Sequence, residues 1–122
     1  MKGNYEKKTK IEHYYGLRPT RYPVVENLSI DQQISDPIHV GELSLSITLC
    51  SRDNSDVRRL VLLFSRVRNL RLNPGGFALA FSFLNIVSVD DQWEGVSFKV
   101  FEDEQELDFL CDDFEATLVE SQ

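Results

Sequence analysis

Hydrophobic and polar residues alternate most strictly over "HVGELSLSITLC", where Leu43, Leu45, Ile47 and Leu49 fall on one face and Ser44, Ser46 and Thr48 on the other. A period of two marks a half-buried strand. The alternation returns at Phe77, Leu79, Phe81 and Phe83, with "NIVSV" continuing that strand or opening its neighbour, and again at Val96, Phe98 and Val100. "FEDEQE" then turns the chain, and Leu107, Phe109 and Cys111 bring it back in an antiparallel hairpin. Phe109 and Phe114 are an odd number of residues apart. The chain must therefore change face or bulge at Asp112 and Asp113 before a last short strand through Ala116 and Leu118.

Turns punctuate these runs at "SRDNSD" and at "NPGG", where proline fixes φ and glycine accepts positive φ. Between the turns lies one ambiguous element. As a helix at about 56–70, Val57, Leu60, Val61, Phe64 and Val67 would form an apolar arc, with Asp56 as its cap. However, Arg68 and Arg71 land inside that arc and Leu62 outside it. Two strands, "RRLVLLF" and "VRNLRL", with a change of face near Ser65, fit better in this β context. The expected fold is all-β, seven or eight antiparallel strands in a meander forming a sandwich or strongly curved sheet; the alternative is α+β with the helix at 56–70. Residues 1–23 carry charge and aromatics without apolar periodicity, and Pro19 and Pro23 disfavour helix in the residues before them, so an extended or partly ordered arm is expected there.

Length and composition fit this picture. At 122 residues, 42% hydrophobic and 27% charged, the chain suits one globular domain over 1–122. It has no apolar run long enough for a membrane span and no apolar segment of a secretory signal near its start, so a cytoplasmic location is expected. Cys50 and Cys111 sit in apolar runs and look like inward-facing small hydrophobes rather than a disulfide.

The net charge is −7, and its distribution changes the reading more than its size does. Six Lys or Arg face two Glu up to Pro23, and six Arg (Arg52, Arg58, Arg59, Arg66, Arg68, Arg71) face two Asp between Ser51 and Leu72. From Asp90 onward one Lys faces twelve acids. Such a balance disfavours nucleic acid, even though "HYYGLRPTRYP" interleaves arginine with tyrosine, and it favours a basic protein partner. The Arg-rich segment either balances these acids within the molecule or lies on another face, where it would support self-association.

The acids do not make a metal site. Glu102, Asp103, Glu104 and Glu106 are separated from Asp112 and Asp113 by a strand that holds them about 17 Å apart at roughly 3.3 Å per residue, and neither group has calcium-loop spacing. A dyad with either histidine, His13 or His39, would need Cys50 or Cys111 to be exposed beside it, whereas both look like inward strand positions, and "NPGG" lacks the Lys and Ser or Thr of a phosphate loop. No catalytic residue, metal or cofactor is assigned. The candidate partner-binding residues are Asp90, Asp91, Trp93 and Glu94 in one loop and Glu102, Asp103, Glu104 and Glu106 in the hairpin turn.

The runs "FSRVRNLRL" and "WEGVSFKVFEDEQELDFLCDDFEA", within about Leu60 to Ala116, are similar to small bacterial β-rich domains, some of them grouped with immunity proteins of polymorphic toxin systems. That resemblance implies a non-enzymatic protein that binds and silences a toxin, commonly a basic nuclease, through an acidic surface. The alternative is a structural, self-assembling homo-oligomer in which the basic arm meets acids of a neighbouring subunit.

Overall fold

The computed structural model describes residues 4–34, 40–74, 81–89 and 96–120. Eight antiparallel strands form two four-stranded sheets: β1 (Val24–Ile34), β2 (Val40–Cys50), β3 (Arg58–Ser65) and β8 (Asp113–Glu120) in one, and β4 (Arg68–Leu72), β7 (Leu107–Cys111), β6 (Phe98–Glu102) and β5 (Leu84–Ser88) in the other, each given in spatial order. Consecutive strands pair as in a meander except at three steps, β3 to β4, β4 to β5 and β7 to β8. Instead, β8 returns beside β3 and β4 lies beside β7. The inward residues of both sheets form one core that includes Leu45, Ile47, Leu60, Leu62, Ile86, Val100 and Leu107. Phe64 of β3 meets Phe109 of β7 edge-on at 4.8 Å, and Phe98 of β6 meets Phe114 of β8 at 4.9 Å. Such pairs each contribute about 0.5–1.5 kcal/mol beyond the area they bury.

Residues 56–70 contain strands and no helix. Arg66 has a positive φ of 55°, and the chain there leaves one sheet for the other. It crosses back at Asp112, where the odd spacing of Phe109 and Phe114 required a change of face. One side chain ties the two crossings together, since Arg66 bridges Glu42 at 2.9 Å and Asp112 at 3.5 Å. Phe77 and Leu79, the two glycines of "NPGG" and the loop at 90–95 lie outside the described residues. Gly41, on β2, is held against the backbone of β1, where a Cβ would fall 2.4 Å from the Gln33 carbonyl oxygen.

From residue 4 on, the arm expected over residues 1–23 is corrected by the structure. Asn4–Gly16 is a helix, α1, followed by one 3-10 turn at Pro19–Arg21, and Tyr14, Pro19 and Tyr22 are buried. The helix lies along β8 and β5, which are the edges of the two sheets on the same side of the sandwich. Its polar groups serve the strand backbones. Lys10 Nζ donates to Phe114 O at 3.1 Å, and His13 Nε2 lies 2.9 Å from Ala116 O. A carbonyl can only accept, so that nitrogen carries the proton. On the other edge the Tyr14 hydroxyl donates to Leu84 O, and Lys7 Nζ donates to Val89 O at 3.0 Å. The Tyr15 hydroxyl donates to Ile86 O at 3.3 Å and accepts from Ile86 N–H at 3.2 Å, as a neighbouring strand would. Open edges invite pairing with other chains, and α1 closes two of them.

Two buried groups link the core to pH. Burial, and then the charges of Asp113 and Asp112, push the Cys111 thiol far above its ordinary 9.0. Burial, with Tyr15 adding to it, holds the Tyr14 hydroxyl well above 10.0. Both stay protonated in the fold while the unfolded chain releases their protons. Stability is therefore full below about pH 9 and falls above it, by up to about 1.4 kcal/mol per pH unit for each group. In urea titrations at several pH values, Cys111→Ala should remove the part of the decline that begins near pH 9 and leave the part that begins near pH 10.

Candidate functional site

The β6–β7 hairpin carries the acidic turn, and its geometry follows from strand parity. Phe98, Val100 and Glu102 alternate on the inward side of β6, so Glu102 enters the protein instead of facing water and is only 1% exposed. Its carboxylate is fully used. Oε1 accepts the backbone N–H groups of Glu104 at 2.9 Å and Glu106 at 3.0 Å, and Oε2 accepts that of Ser82 at 2.9 Å. The turn is closed further by Gln105 N–H donating to Glu102 O at 2.9 Å, with Gln105 at φ 63°. Three backbone donors converging on one carboxylate fix the loop around it.

Glu102 is thus a correction to the expected contact surface: it shapes the turn from inside and is not available to a partner. Its neighbours are presented outward. Asp103 and Glu104 are exposed and Glu106 is half-buried. Asp103 Oδ1 accepts from Asn85 Nδ2 at 2.7 Å, and Glu104 Oε1 accepts from the Ser82 hydroxyl at 3.4 Å. Both partners are neutral, so neither carboxylate is balanced by a cation among the described residues. The other four candidates, Asp90, Asp91, Trp93 and Glu94, lie outside the described residues.

The acids beyond β7 have a different fate. Asp112 accepts from the Ser97 hydroxyl at 3.0 Å as well as pairing with Arg66, and Asp113 pairs with Lys10 at 3.1 Å. These two hold the strand crossing and α1 in place. The continuous acidic block of the sequence therefore divides into an internal part and an outward part, the tip of the hairpin.

The arginines divide in the same way. Arg58 pairs with Asp56 at 3.0 Å and Arg59 with Glu26 at 3.0 Å, while Arg68 and Arg71 are exposed on β4, with Arg71 in register with Asp108 of β7. Arg58 also holds the Asp56 carboxyl below the usual range, and hydrogen bonds from Ser55 do the same for Asp53. These two acids and Arg21, Arg58 and Glu120 line an open cleft of about 600 Å³ whose charges largely answer each other. Cys111 is buried, but Cys50 is half-buried and pairs in register with Arg59, so the expectation that both cysteines face inward holds only for Cys111. No helix among the described residues is long and apolar enough to cross a membrane.

No curated protein and no solved structure matches the chain. A family model does, and it takes in most of α1, β1 to β7 and the first part of β8, reaching well before the Leu60 at which the sequence resemblance starts. That model is described as immunity protein PIM8 and matches residues 6–117, and the chain belongs to this family.

Proposed function

We propose that this protein binds a basic toxin protein and silences it by occupying its surface, with no chemistry of its own, and that the β6–β7 turn is the main contact. What supports the reading is the turn held by Glu102. A loop fixed by three charge-assisted bonds loses little conformational freedom on binding, so the attraction of Asp103 and Glu104 for a basic partner is not spent on ordering them. Glu106 contributes from the edge of the same turn. The loop with Asp90, Asp91, Trp93 and Glu94 supplies further acids and an aromatic anchor of the kind that dominates protein interfaces. Family membership supports a toxin as the partner, and the exposed carboxylates of Asp103 and Glu104 support a basic surface on it.

Co-expression with a candidate basic toxin domain provides the test. Wild-type protein should restore growth, and the triple variant Asp103→Asn, Glu104→Gln, Glu106→Gln should protect at least tenfold less well at equal expression. Full protection by the triple variant would remove the turn from the interface.

A further inference from the structure

Four strands lie at sheet edges, and three of them are defended. β8 and β5 are covered by α1, as described above. β4 is five residues long and is broken by Asn69 at φ 55°, where its register with β7 shifts between Arg68 and Arg71. β1 differs. It has 11 residues, and between irregularities at Val25/Asn27 and Gln32/Ile34 the run Asn27 to Gln32 keeps an unbroken register with β2. No described strand pairs with its other side. Ile30, opposite inward Leu45, is 49% exposed, and Leu28, opposite inward Ile47, is half-buried. Among the described residues the core thus continues to this edge and is not completed by a further strand.

The sequence of the run identifies what fits it. An antiparallel neighbour must keep its own apolar face on the core side, and because side chains alternate with a period of two, a symmetric pairing has to be centred on a residue and not between residues. Centring on Ser29 sets Leu28 opposite Ile30 of the second copy, and Ile30 opposite its Leu28. On the outer face Asn27 then meets Asp31 of the second copy, an amide donor against a carboxylate, and no like charges are opposed. Moving the centre to Ile30 would place Leu28 against Gln32, and moving it to Leu28 would place Ile30 against Glu26. Only the Ser29 register is complementary on both faces.

We propose that the protein forms a two-fold symmetric homodimer by pairing β1 with β1 of a second copy about Ser29, so that the sheet β1-β2-β3-β8 continues across the interface. The proposal is independent of the toxin reading, since it uses neither the acidic turn nor its partner.

Light scattering on the purified chain, together with cysteine cross-linking, tests it. The mass in solution should be twice the 14.1 kDa of the chain at micromolar concentrations. In a Cys50→Ser background, with buried Cys111 left in place, Ser29→Cys should cross-link to its own copy under mild oxidation. The Cα atoms of directly opposed residues lie about 4.5–5.5 Å apart, within disulfide reach. Asp31→Cys should not cross-link, because it lies opposite residue 27. Ser29→Asp, which sets two carboxylates together on the axis, should raise the dimer dissociation constant at least tenfold with an unchanged circular dichroism spectrum. A monomer up to high micromolar concentration overturns the proposal, as does cross-linking of Asp31→Cys in place of Ser29→Cys. A monomeric wild type whose toxin binding is weakened by Ser29→Asp would also overturn it, assigning the edge to a strand of the toxin.

Discussion

Glu102→Ala is expected to lower the unfolding free energy by about 3–5 kcal/mol, the largest effect of any single carboxylate among the described residues. The change removes one acceptor group from three backbone N–H donors, those of Ser82, Glu104 and Glu106. Hydrogen bonds to a charged group contribute about 1.5–3 kcal/mol each, and a donor left unpaired in a buried site costs about 1–3 kcal/mol. Partial opening of the turn to water offsets some of that sum. Glu102→Gln keeps the shape but turns an amide toward at least one of the same donors, and should cost about 2 kcal/mol. Asp103→Asn and Glu104→Gln touch only neutral surface partners and should stay within about 0.5 kcal/mol of wild type. Urea denaturation of the four variants checks the series; a loss below 1 kcal/mol for Glu102→Ala would show that the turn holds without its carboxylate.

Tyr14→Ala is the second large effect. Tyr14 is completely buried, meets Phe114 edge-on at 6.4 Å, and spends its hydroxyl on Leu84 O. Truncating a buried aromatic to alanine costs about 3–5 kcal/mol. Tyr14→Phe keeps the packing and leaves one carbonyl without its donor, at about 1–2 kcal/mol. The two variants should also differ in solution behaviour. Loosening α1 exposes the edges of β5 and β8 together, so Tyr14→Ala should aggregate on warming while Tyr14→Phe stays clear. Thermal unfolding followed by light scattering separates lost stability from an opened edge, and equal aggregation by both variants would mean that α1 does not guard these strands.

The contrast between Tyr14 and the strands explains how much of the molecule could be read from its sequence. Strands with one buried face announce themselves, because Leu45, Ile47 and Leu49, or Leu107, Phe109 and Cys111, have to alternate with polar residues. The break at Arg66 was legible too, since Arg68 and Arg71 spoil any helical arc through that segment. Helix α1 was not legible. Its inward side gives the core Tyr14 and part of Ile11, and otherwise carries Lys7, Lys10, His13 and Tyr15, whose polar ends serve strand carbonyls. Read for apolar periodicity, such a helix looks like a charged arm. β1 was hidden for a related reason: its core side holds Leu28 and Ile30 but then Gln32, at the rim of the sandwich, where burial is incomplete.

Within the acidic turn, the information was present but was outweighed. The alternation of Phe98 and Val100 carries on to residue 102, which puts a glutamate on the inward side. The run of carboxylates in "FEDEQE" masks that parity, because four acids in six residues look like one solvated block. The side chain that shapes the surface and the side chains that face the partner come from the same short run and differ only in which way the strand points them.

Whether a rigid acidic turn meets a basic partner is read from the association rate with a purified toxin domain as salt is raised. Wild-type protein should associate fast at low salt and slow steeply as salt screens the turn, and Asp103→Asn, Glu104→Gln, Glu106→Gln should associate roughly tenfold more slowly with a shallow salt dependence. Identical rates and salt slopes for the two proteins would contradict contact through the turn.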